Sequence, residues 1–325
     1  MPARNALSIA TALALLAALT LANPTEARRK PKFDSGRASF SVRCQNLVAG
    51  YRLQAVTVLP SETVDVEALD ADWDKQFRLE AQVGTMESLD PRHWRWTAPD
   101  QPGECLVTIH RLPDRDSVQL LALVLVPYDH MVGGVLNGYL IGSYPEPRSN
   151  SFNGFGPPRG FVEVREDNLE TWVSPHFQLQ QFLCRQAGDF PKYLVLDERL
   201  LVKLEELLAK VNLEGHPCRT LSISSAFRTP HYNRLLKQAE FSLHQWGQAA
   251  DVAVDADGDG KMDDLNHNGK SDLGDVEALR SMVEHIEGEP RHQDKVGGLG
   301  VYDERGNHGP FVHIDVRGEA ARWQR

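Results

Sequence analysis

Short hydrophobic runs separated by turn residues dominate the chain between residues 39 and 128. Alternation within a run, as in Phe77, Leu79 and Ala81, gives one apolar and one polar face, which is typical of a half-buried β-strand. Six such runs occur with no helical period between them: 53–59, 64–69, 77–83, 94–98, 105–110 and 118–126. This pattern predicts an all-β domain over residues 37–130, of the immunoglobulin-like sandwich type.

The second half of the chain has a different pattern. Four prolines and four glycines between Gly142 and Gly160 predict a linker or draped loop, placed over residues 131–165. Leucines and valines then recur at helical spacing over 200–211, behind Asp197, which suits an N-cap. A polar helix and several strands are also expected, at 233–240, 221–225, 250–254 and 311–316. Residues 166–325 are therefore predicted to form an α+β domain.

The N-terminus carries a long apolar run, 6–22, which follows Arg4 and ends in small residues. This arrangement predicts a signal peptide over residues 1–27 and a periplasmic or secreted protein. An uncleaved membrane anchor is the alternative, although about 17 residues interrupted by hydroxyl side chains are short for a bilayer span. Cleavage after Ala22 and cleavage after Ala27 both fit the pattern.

Export changes the interpretation of the four cysteines. In an oxidising compartment an even number of cysteines favours disulfides. Cys44 and Cys105 lie in the first half, and Cys184 and Cys218 in the second, so pairing within each half is the simplest connectivity. Free buried thiols are the alternative.

Composition and charge narrow the function classes. The 325 residues are 41% hydrophobic and 25% charged, which suits a folded protein of one to three domains. A net charge of −10 provides no basic excess to neutralise phosphates, so no nucleic-acid partner is expected.

Candidate metal ligands occur in two segments of the second half. His244 and Asp251 lie seven residues apart with Gly247 between them, and His313 lies in the last apolar run. Two imidazoles and one carboxylate make a three-ligand set for zinc that leaves a fourth position for water. A lone histidine is more often a hydrogen-bonded structural residue, so the set as a whole carries the prediction.

These segments resemble a known family. SLHQWGQAAD, 242–251, resembles the S-x-H-x-x-G-x-A-x-D signature of the zinc D-Ala-D-Ala carboxypeptidase and murein endopeptidase family, peptidase family M15. SAFRTPHYN, 225–233, and the pair GGLGVY and FVHID, 297–302 and 311–315, resemble further elements in the family's order. The resemblance covers about residues 174–323 and does not reach the β domain.

The resemblance implies a catalytic Zn²⁺ held by His244, Asp251 and His313. It also implies that Arg228 contacts a substrate carboxylate or the oxyanion of the reaction, with a structural cap as the alternative. The implied substrates are peptidoglycan stem peptides or cross-links, and both carboxypeptidase and endopeptidase activity stay open.

The general base is where this chain departs from the family pattern. Several members carry a glutamate three residues before the last ligand or a histidine two before it, whereas this chain has Pro310 and Phe311 there. The candidate bases are Asp315, which shares a strand face with His313, and His308, in a Gly-Asn-His-Gly segment. Asp315 is alternatively a partner that orients an imidazole.

An acidic insertion, 255–275, begins four residues after Asp251. Two successive stretches place oxygen ligands at positions 1, 3, 5 and 9 and glycine at position 6, which is the spacing of calcium loops. The pattern shows no long flanking helices, so it predicts a structural Ca²⁺ insertion, with a solvated acidic loop as the alternative. The predicted ligands are Asp255, Asp257, Asp259, Asp263, Asp264, Asn266, Asn268, Asp272 and Asp275.

Together these features predict an exported zinc peptidase that hydrolyses peptidoglycan. The alternative is a catalytically impaired cell-wall-binding module with the same fold, which the missing glutamate favours. A calcium-regulated adhesion protein built on the β domain is a third hypothesis.

Overall fold

The structure is a computed structural model that describes residues 33–146, 155–303 and 309–324. Within these ranges the chain is mostly β, with three α-helices and four short 3₁₀-helices. Among the same residues, none of the helices combines the length and hydrophobicity that a membrane span requires. The predicted signal peptide, 1–27, and the candidate base His308 lie outside the described residues.

Nine strands form the N-terminal part of the described chain. They pair into two sheets, ordered β2-β1-β4-β7-β6 and β3-β9-β8-β5, and both sheets contribute to one hydrophobic core. The prediction of strands in this half is confirmed, while the immunoglobulin-like type stays a prediction. The strands are β1 (Arg37–Cys44), β2 (Leu47–Tyr51), β3 (Leu53–Val58), β4 (Thr63–Leu69), β5 (Gln76–Ala81), β6 (Thr85–Ser88), β7 (His93–Thr97), β8 (Gly103–Leu112) and β9 (Ser117–Val124).

The remaining elements build the second half around one five-stranded sheet, ordered β17-β18-β20-β19-β21. Its strands are β17 (Ser222–Ser225), β18 (Ala249–Ala253), β19 (Gly298–Tyr302), β20 (Phe311–Asp315) and β21 (Ala321–Gln324). The helices are α1 (Glu198–Leu213), α2 (Pro230–Leu235) and α3 (Leu273–Glu287). Shorter strands precede the sheet: β10 (Val126–Pro127), β11 (Val135–Leu136), β12 (Tyr139–Leu140), β13 (Gly160–Val164), β14 (Trp172–Ser174), β15 (Phe177–Gln178) and β16 (Lys192–Leu194).

Helix α1 forms where the leucine spacing predicts it. Its N-cap is Asp197, whose side chain accepts a hydrogen bond from the Arg199 amide. The apolar face buries Leu200, Leu204 and Leu207 completely, and each such leucine contributes roughly 1.5–3 kcal/mol relative to an exposed one. This face anchors the core of the second half.

The parallel β3–β9 pair is buried on both faces. Val56 and Leu120 point into the core between the two N-terminal sheets, whereas Ala55, Leu121 and Leu123 belong to the core that surrounds α1. Successive strand residues point to opposite faces, so one pair of strands serves both cores. The N-terminal sheets are therefore packed onto the second half through an apolar contact.

Much of the segment predicted as a linker, 131–165, is packed. Strands β11 and β12 pair with each other, and β13 lies between β10 and β16. Leu136, Tyr139 and Ile141 are buried in a small core that also contains Trp246. The described parts of this segment therefore pack against the domain.

The predicted disulfides are wrong, because all four cysteines are free and buried in the structure. The Cys218 thiol donates to the Thr220 carbonyl at 2.6 Å, and burial raises the pKa of the Cys44 thiol to about 12. Such thiols behave as small apolar core residues. An even count and an expected compartment say nothing about whether two Cβ atoms face each other, which is what a disulfide requires.

Two helix predictions also need correction. Helix α2 begins at Pro230, with Thr229 as its N-cap, and ends at Leu235, so the expected helix at 233–240 was placed too late. The expectation that no long helix flanks the acidic insertion is wrong, since α3 begins within its last residues, at Leu273. Asp272 is the N-cap of α3, and Asp275 completes a capping box with it.

Candidate metal centre

Two neighbouring strands and a short helix supply the three predicted ligands. Antiparallel pairing of β18 with β20 places Asp251 directly opposite His313, so both side chains project from the same face of the sheet. His244 comes from the 3₁₀-helix Leu243–Trp246, which ends at Gly247 with φ 65°. A Cβ at Gly247 would lie 2.1 Å from the Val195 carbonyl oxygen, so only glycine allows the chain to turn back into β18 here.

The three side chains converge on one point. His244 Nε2 lies 3.2 Å from His313 Nδ1 and 3.3 Å from Asp251 Oδ1, and His313 Nδ1 lies 2.9 Å from the same oxygen. Ligand atoms about 2.0–2.1 Å from a tetrahedral zinc ion are separated from one another by roughly 3.3 Å. The donor atoms and their spacing therefore fit a zinc ion with one position open.

Hydrogen bonds behind the ligands set which ring nitrogen faces the site. His244 Nδ1 lies 2.7 Å from the Ala226 carbonyl oxygen, which only accepts, so Nδ1 carries the proton and the lone pair of Nε2 faces Asp251 and His313. His313 Nε2 lies 3.3 Å from Asp315 Oδ2, which leaves Nδ1 to face the site. Such partners orient metal-binding imidazoles and increase their basicity.

Burial and charge act differently on the ligands. Burial lowers the pKa of His244 and so favours the neutral imidazole that a metal requires. Burial alone would raise the pKa of Asp251, but the adjacent His244 and His313 hold it well below its usual range. Burial alone would lower the pKa of His313, whereas its hydrogen bonds to Asp251 and Asp315 raise it.

The carboxylate of Asp315 is occupied by hydrogen bonds on the side of His313 that faces away from the cleft. The side chain is completely buried and accepts hydrogen bonds from the Gly298 amide at 2.7 Å and from Arg317 Nε and Nη2 at 3.0 and 2.6 Å. Burial opposes its ionisation, but His313 and Arg317 hold the pKa of Asp315 below its usual range. This geometry favours the role of an orienting partner over that of a general base.

Arg228 is fixed directly beside the ligands. Its Nε donates to Ser225 Oγ at 2.7 Å, and its Nη2 donates to Asp251 Oδ2 at 2.6 Å. The guanidinium of Arg228 thus binds Oδ2 of Asp251, the carboxylate oxygen that does not contact the two histidines. Arg228 also lines the cleft that contains the three predicted ligands. Both sequence interpretations of Arg228, structural and substrate-binding, are compatible with this position.

The three ligands lie in a cleft of about 570 Å³. One wall is polar and carries Ser224, Ser225, Gln238 and Ser242. The opposite wall is aromatic and carries Tyr302, Phe311 and Trp323. The guanidinium groups of Arg228 and Arg317 also line the cleft, each paired with a carboxylate, those of Asp251 and Asp315 respectively.

The acidic insertion brings two groups of its predicted ligands together. Among the described residues, carboxylate oxygens of Asp255, Asp257 and Asp263 lie within 4.8 Å of one another. In the second group the Asn268 amide donates to Asp264 Oδ1 and Asn266 Oδ1, both at 3.0 Å. Asp275 is instead completely buried and accepts hydrogen bonds from the Leu265 and Asn266 amides. Asp272 accepts from Gly274 at the start of α3.

Comparison with known proteins agrees with this site. Residues 175–286 match the family model described as Peptidase M15. This segment is similar to peptidase M15 domains. The match includes His244, Asp251 and Arg228 and ends before His313, which joins the candidate ligand set through its geometry.

Other comparisons add nothing to this assignment. No curated protein matches the chain. One matching solved structure is described as a nucleoside hydrolase-related hypothetical protein from Saccharophagus degradans that is associated with carbohydrate metabolism, with 10% identity and a TM-score of 0.21. The alignment covers 27% of this chain and 26% of that one, so this chain spans about a quarter of its length. A similarity of this size carries no argument about fold or function.

Replacing His313 by alanine should abolish stoichiometric zinc binding, because it removes one of three protein ligands. His130→Ala is the matched control, since His130 is an exposed histidine remote from the ligand set. Zinc per chain, measured by mass spectrometry after dialysis, should fall only in His313→Ala. Asp315→Asn should keep the site but weaken zinc binding by roughly 10–100-fold. A full zinc equivalent in His313→Ala would remove His313 from the ligand set.

Proposed function

We propose that the protein is an exported zinc-dependent peptidase that hydrolyses peptide bonds adjoining D-amino acids in peptidoglycan stem peptides or cross-links. The observation that supports this most strongly is the convergence of His244, Asp251 and His313 in an open cleft. The family match supports a peptidase, and peptidoglycan as the substrate follows from the family resemblance. The predicted signal peptide supports export.

The residues of the cleft divide the chemistry between them. A zinc ion held by the three ligands would polarise the scissile carbonyl and lower the pKa of a water molecule. Arg228, held rigid by Ser225 and Asp251, would stabilise negative charge that develops on the substrate.

The alternative is a wall-binding module that keeps the fold and the metal but lacks a working base. The contacts of Asp315 support it, because a carboxylate that is completely buried and bound by Arg317 is poorly placed to take a proton from water. His308 stays a proposed base and lies outside the described residues. Activity on intact wall material separates the two functions.

Zinc-loaded protein should release peptide fragments or free D-alanine from purified sacculi, and His244→Ala should release neither, because its ligand set is incomplete. His130→Ala should behave as wild type. Mass spectrometry of the released fragments would identify the bond and distinguish carboxypeptidase from endopeptidase activity. Sacculus binding without release, at full zinc occupancy, would establish the wall-binding alternative. A zinc-loaded protein that neither binds sacculi nor releases any product from them would contradict both functions.

Structural calcium in the acidic insertion is a second part of the proposal. Burial and the neighbouring carboxylates of Asp257 and Asp255 raise the pKa of Asp263, as expected where like charges are held close together. An oxygen-rich group of this kind suits Ca²⁺. The insertion directly follows β18, the strand that carries Asp251. A Ca²⁺ ion that orders the insertion would therefore also stabilise the end of this strand.

Millimolar calcium should therefore raise the melting temperature of zinc-loaded protein. A ligand bound only by the folded state at 100 times its dissociation constant adds about 2.7 kcal/mol to the free energy of unfolding. Magnesium should stabilise less, because it demands a tighter octahedral cage. Asp257→Asn should reduce the calcium effect, whereas Asp167→Asn, at an exposed aspartate elsewhere, should not. An unchanged melting temperature between chelated and calcium-containing buffer would favour a solvated loop.

A further inference from the structure

One row of residues crosses the central sheet at the level of the ligands. Strand pairing places Ser225 beside Asp251, Asp251 beside His313, His313 beside Gly300, and Gly300 beside Trp323. The side chains of Asp251 and His313 in this row project into the cleft. Gly300 therefore leaves a gap in the row next to His313.

The indole of Trp323 fills this gap. A Cβ at Gly300 would lie 2.3 Å from Trp323 Nε1 and 2.4 Å from Trp323 Cε2, so the ring lies directly over the glycine. The ring centroid of Trp323 lies 5.2 Å from that of His313, and the Arg317 guanidinium lies 5.6 Å from it. Strand β21 thus delivers an aromatic side chain to the edge of the metal site.

Trp323 in turn fixes Tyr302. Trp323 Nε1 donates a hydrogen bond to Tyr302 Oη at 2.9 Å, and the Tyr302 ring stacks on Phe311 with a centroid separation of 4.6 Å and an interplanar angle of 7°. The stacking sets the plane of the phenol, and the indole N–H occupies an acceptor position of its oxygen. The hydroxyl keeps one proton to donate, and no described residue accepts it.

We propose that Tyr302 donates this hydrogen bond to the substrate's scissile carbonyl oxygen as negative charge develops on it, and that Trp323 is the positioning residue for Tyr302. Tyr302 lies on β19 and Arg228 follows β17, so the two donors flank His313 from opposite sides of the cleft. The proton stays on the phenol throughout. The inference rests on the proposed peptidase function and assigns a donor within that same site.

Three variants separate the two roles. Tyr302→Phe keeps the ring that stacks on Phe311 and removes only the hydroxyl. Trp323→Phe keeps an aromatic ring and removes the indole N–H, and the double variant tests whether Trp323 acts through Tyr302. Tyr128→Phe is the matched control, because it removes a phenolic hydroxyl outside the cleft. Zinc per chain and circular dichroism should be the same in all of them.

We expect Tyr302→Phe to lower kcat for peptide-bond hydrolysis by roughly 100-fold with little change in KM, as removal of one oxyanion donor does. Trp323→Phe should cause a smaller loss in wild type and no further loss in the Tyr302→Phe background. Calorimetric binding of a phosphinic D-Ala-D-Ala pseudopeptide, whose anionic oxygens imitate the tetrahedral intermediate, should weaken in Tyr302→Phe by a factor similar to the loss in kcat/KM.

The outcomes distinguish the inference from the proposed function. An active wild type in which Tyr302→Phe retains kcat and pseudopeptide affinity within about twofold overturns the donor role alone. Equal losses from Trp323→Phe in the wild-type and Tyr302→Phe backgrounds overturn the positioning role. A fully zinc-loaded wild type that neither cleaves sacculi nor binds the pseudopeptide overturns the proposed function, and the inference with it.

Discussion

The register of β18 against β20 is the constraint on which the site depends. On one face of these strands, Val252, Val312 and Ile314 are buried in the core around α1. Side chains alternate along a strand, so burial of these residues forces Asp251 and His313 onto the other face, opposite each other. A slip of one residue would exchange the two faces and bury the ligands in the apolar core. The same hydrophobic alternation that stabilises the sheet therefore assembles the candidate metal site.

Buried polar contacts support this sheet from behind. Lys203 of α1 donates to the Asp315 carbonyl at 2.7 Å and to Glu287 of α3 at 2.6 Å, and Glu287 also binds Arg322. Breaking such a pair typically costs 3–5 kcal/mol, because it leaves a charge buried without a partner. These contacts fix the end of β20, where Asp315 orients His313. Residues of β3 and β9 belong to the same hydrophobic core as α1, so the N-terminal domain also contributes to the packing around this helix.

The sequence predicts those features that depend on residue type and period. Leucine spacing predicts α1, alternation predicts most strands, and the two histidines with Asp251 predict the donor set. Features set by tertiary context escape such reasoning. Helix α3 is different, because its apolar residues Val276, Leu279 and Val283 lie at helical spacing behind the N-cap Asp272, so the period does predict it. Strand β21 is only half-buried and shows no apolar alternation, so its sequence does not predict a strand. Its position depends on pairing with β19, where Gly300 leaves room for Trp323.

X-ray absorption at the zinc K-edge of the zinc-loaded protein tests the metal site most directly. The arrangement of His244, Asp251 and His313 predicts a first shell of nitrogen and oxygen atoms at about 2.0–2.1 Å, with the multiple scattering of two imidazoles. Sulfur scatterers at about 2.3 Å would mean that cysteines hold the metal. A first shell of oxygen atoms without imidazole scattering would mean that the zinc ion is bound in the acidic insertion. Either result would contradict the assignment of the three ligands.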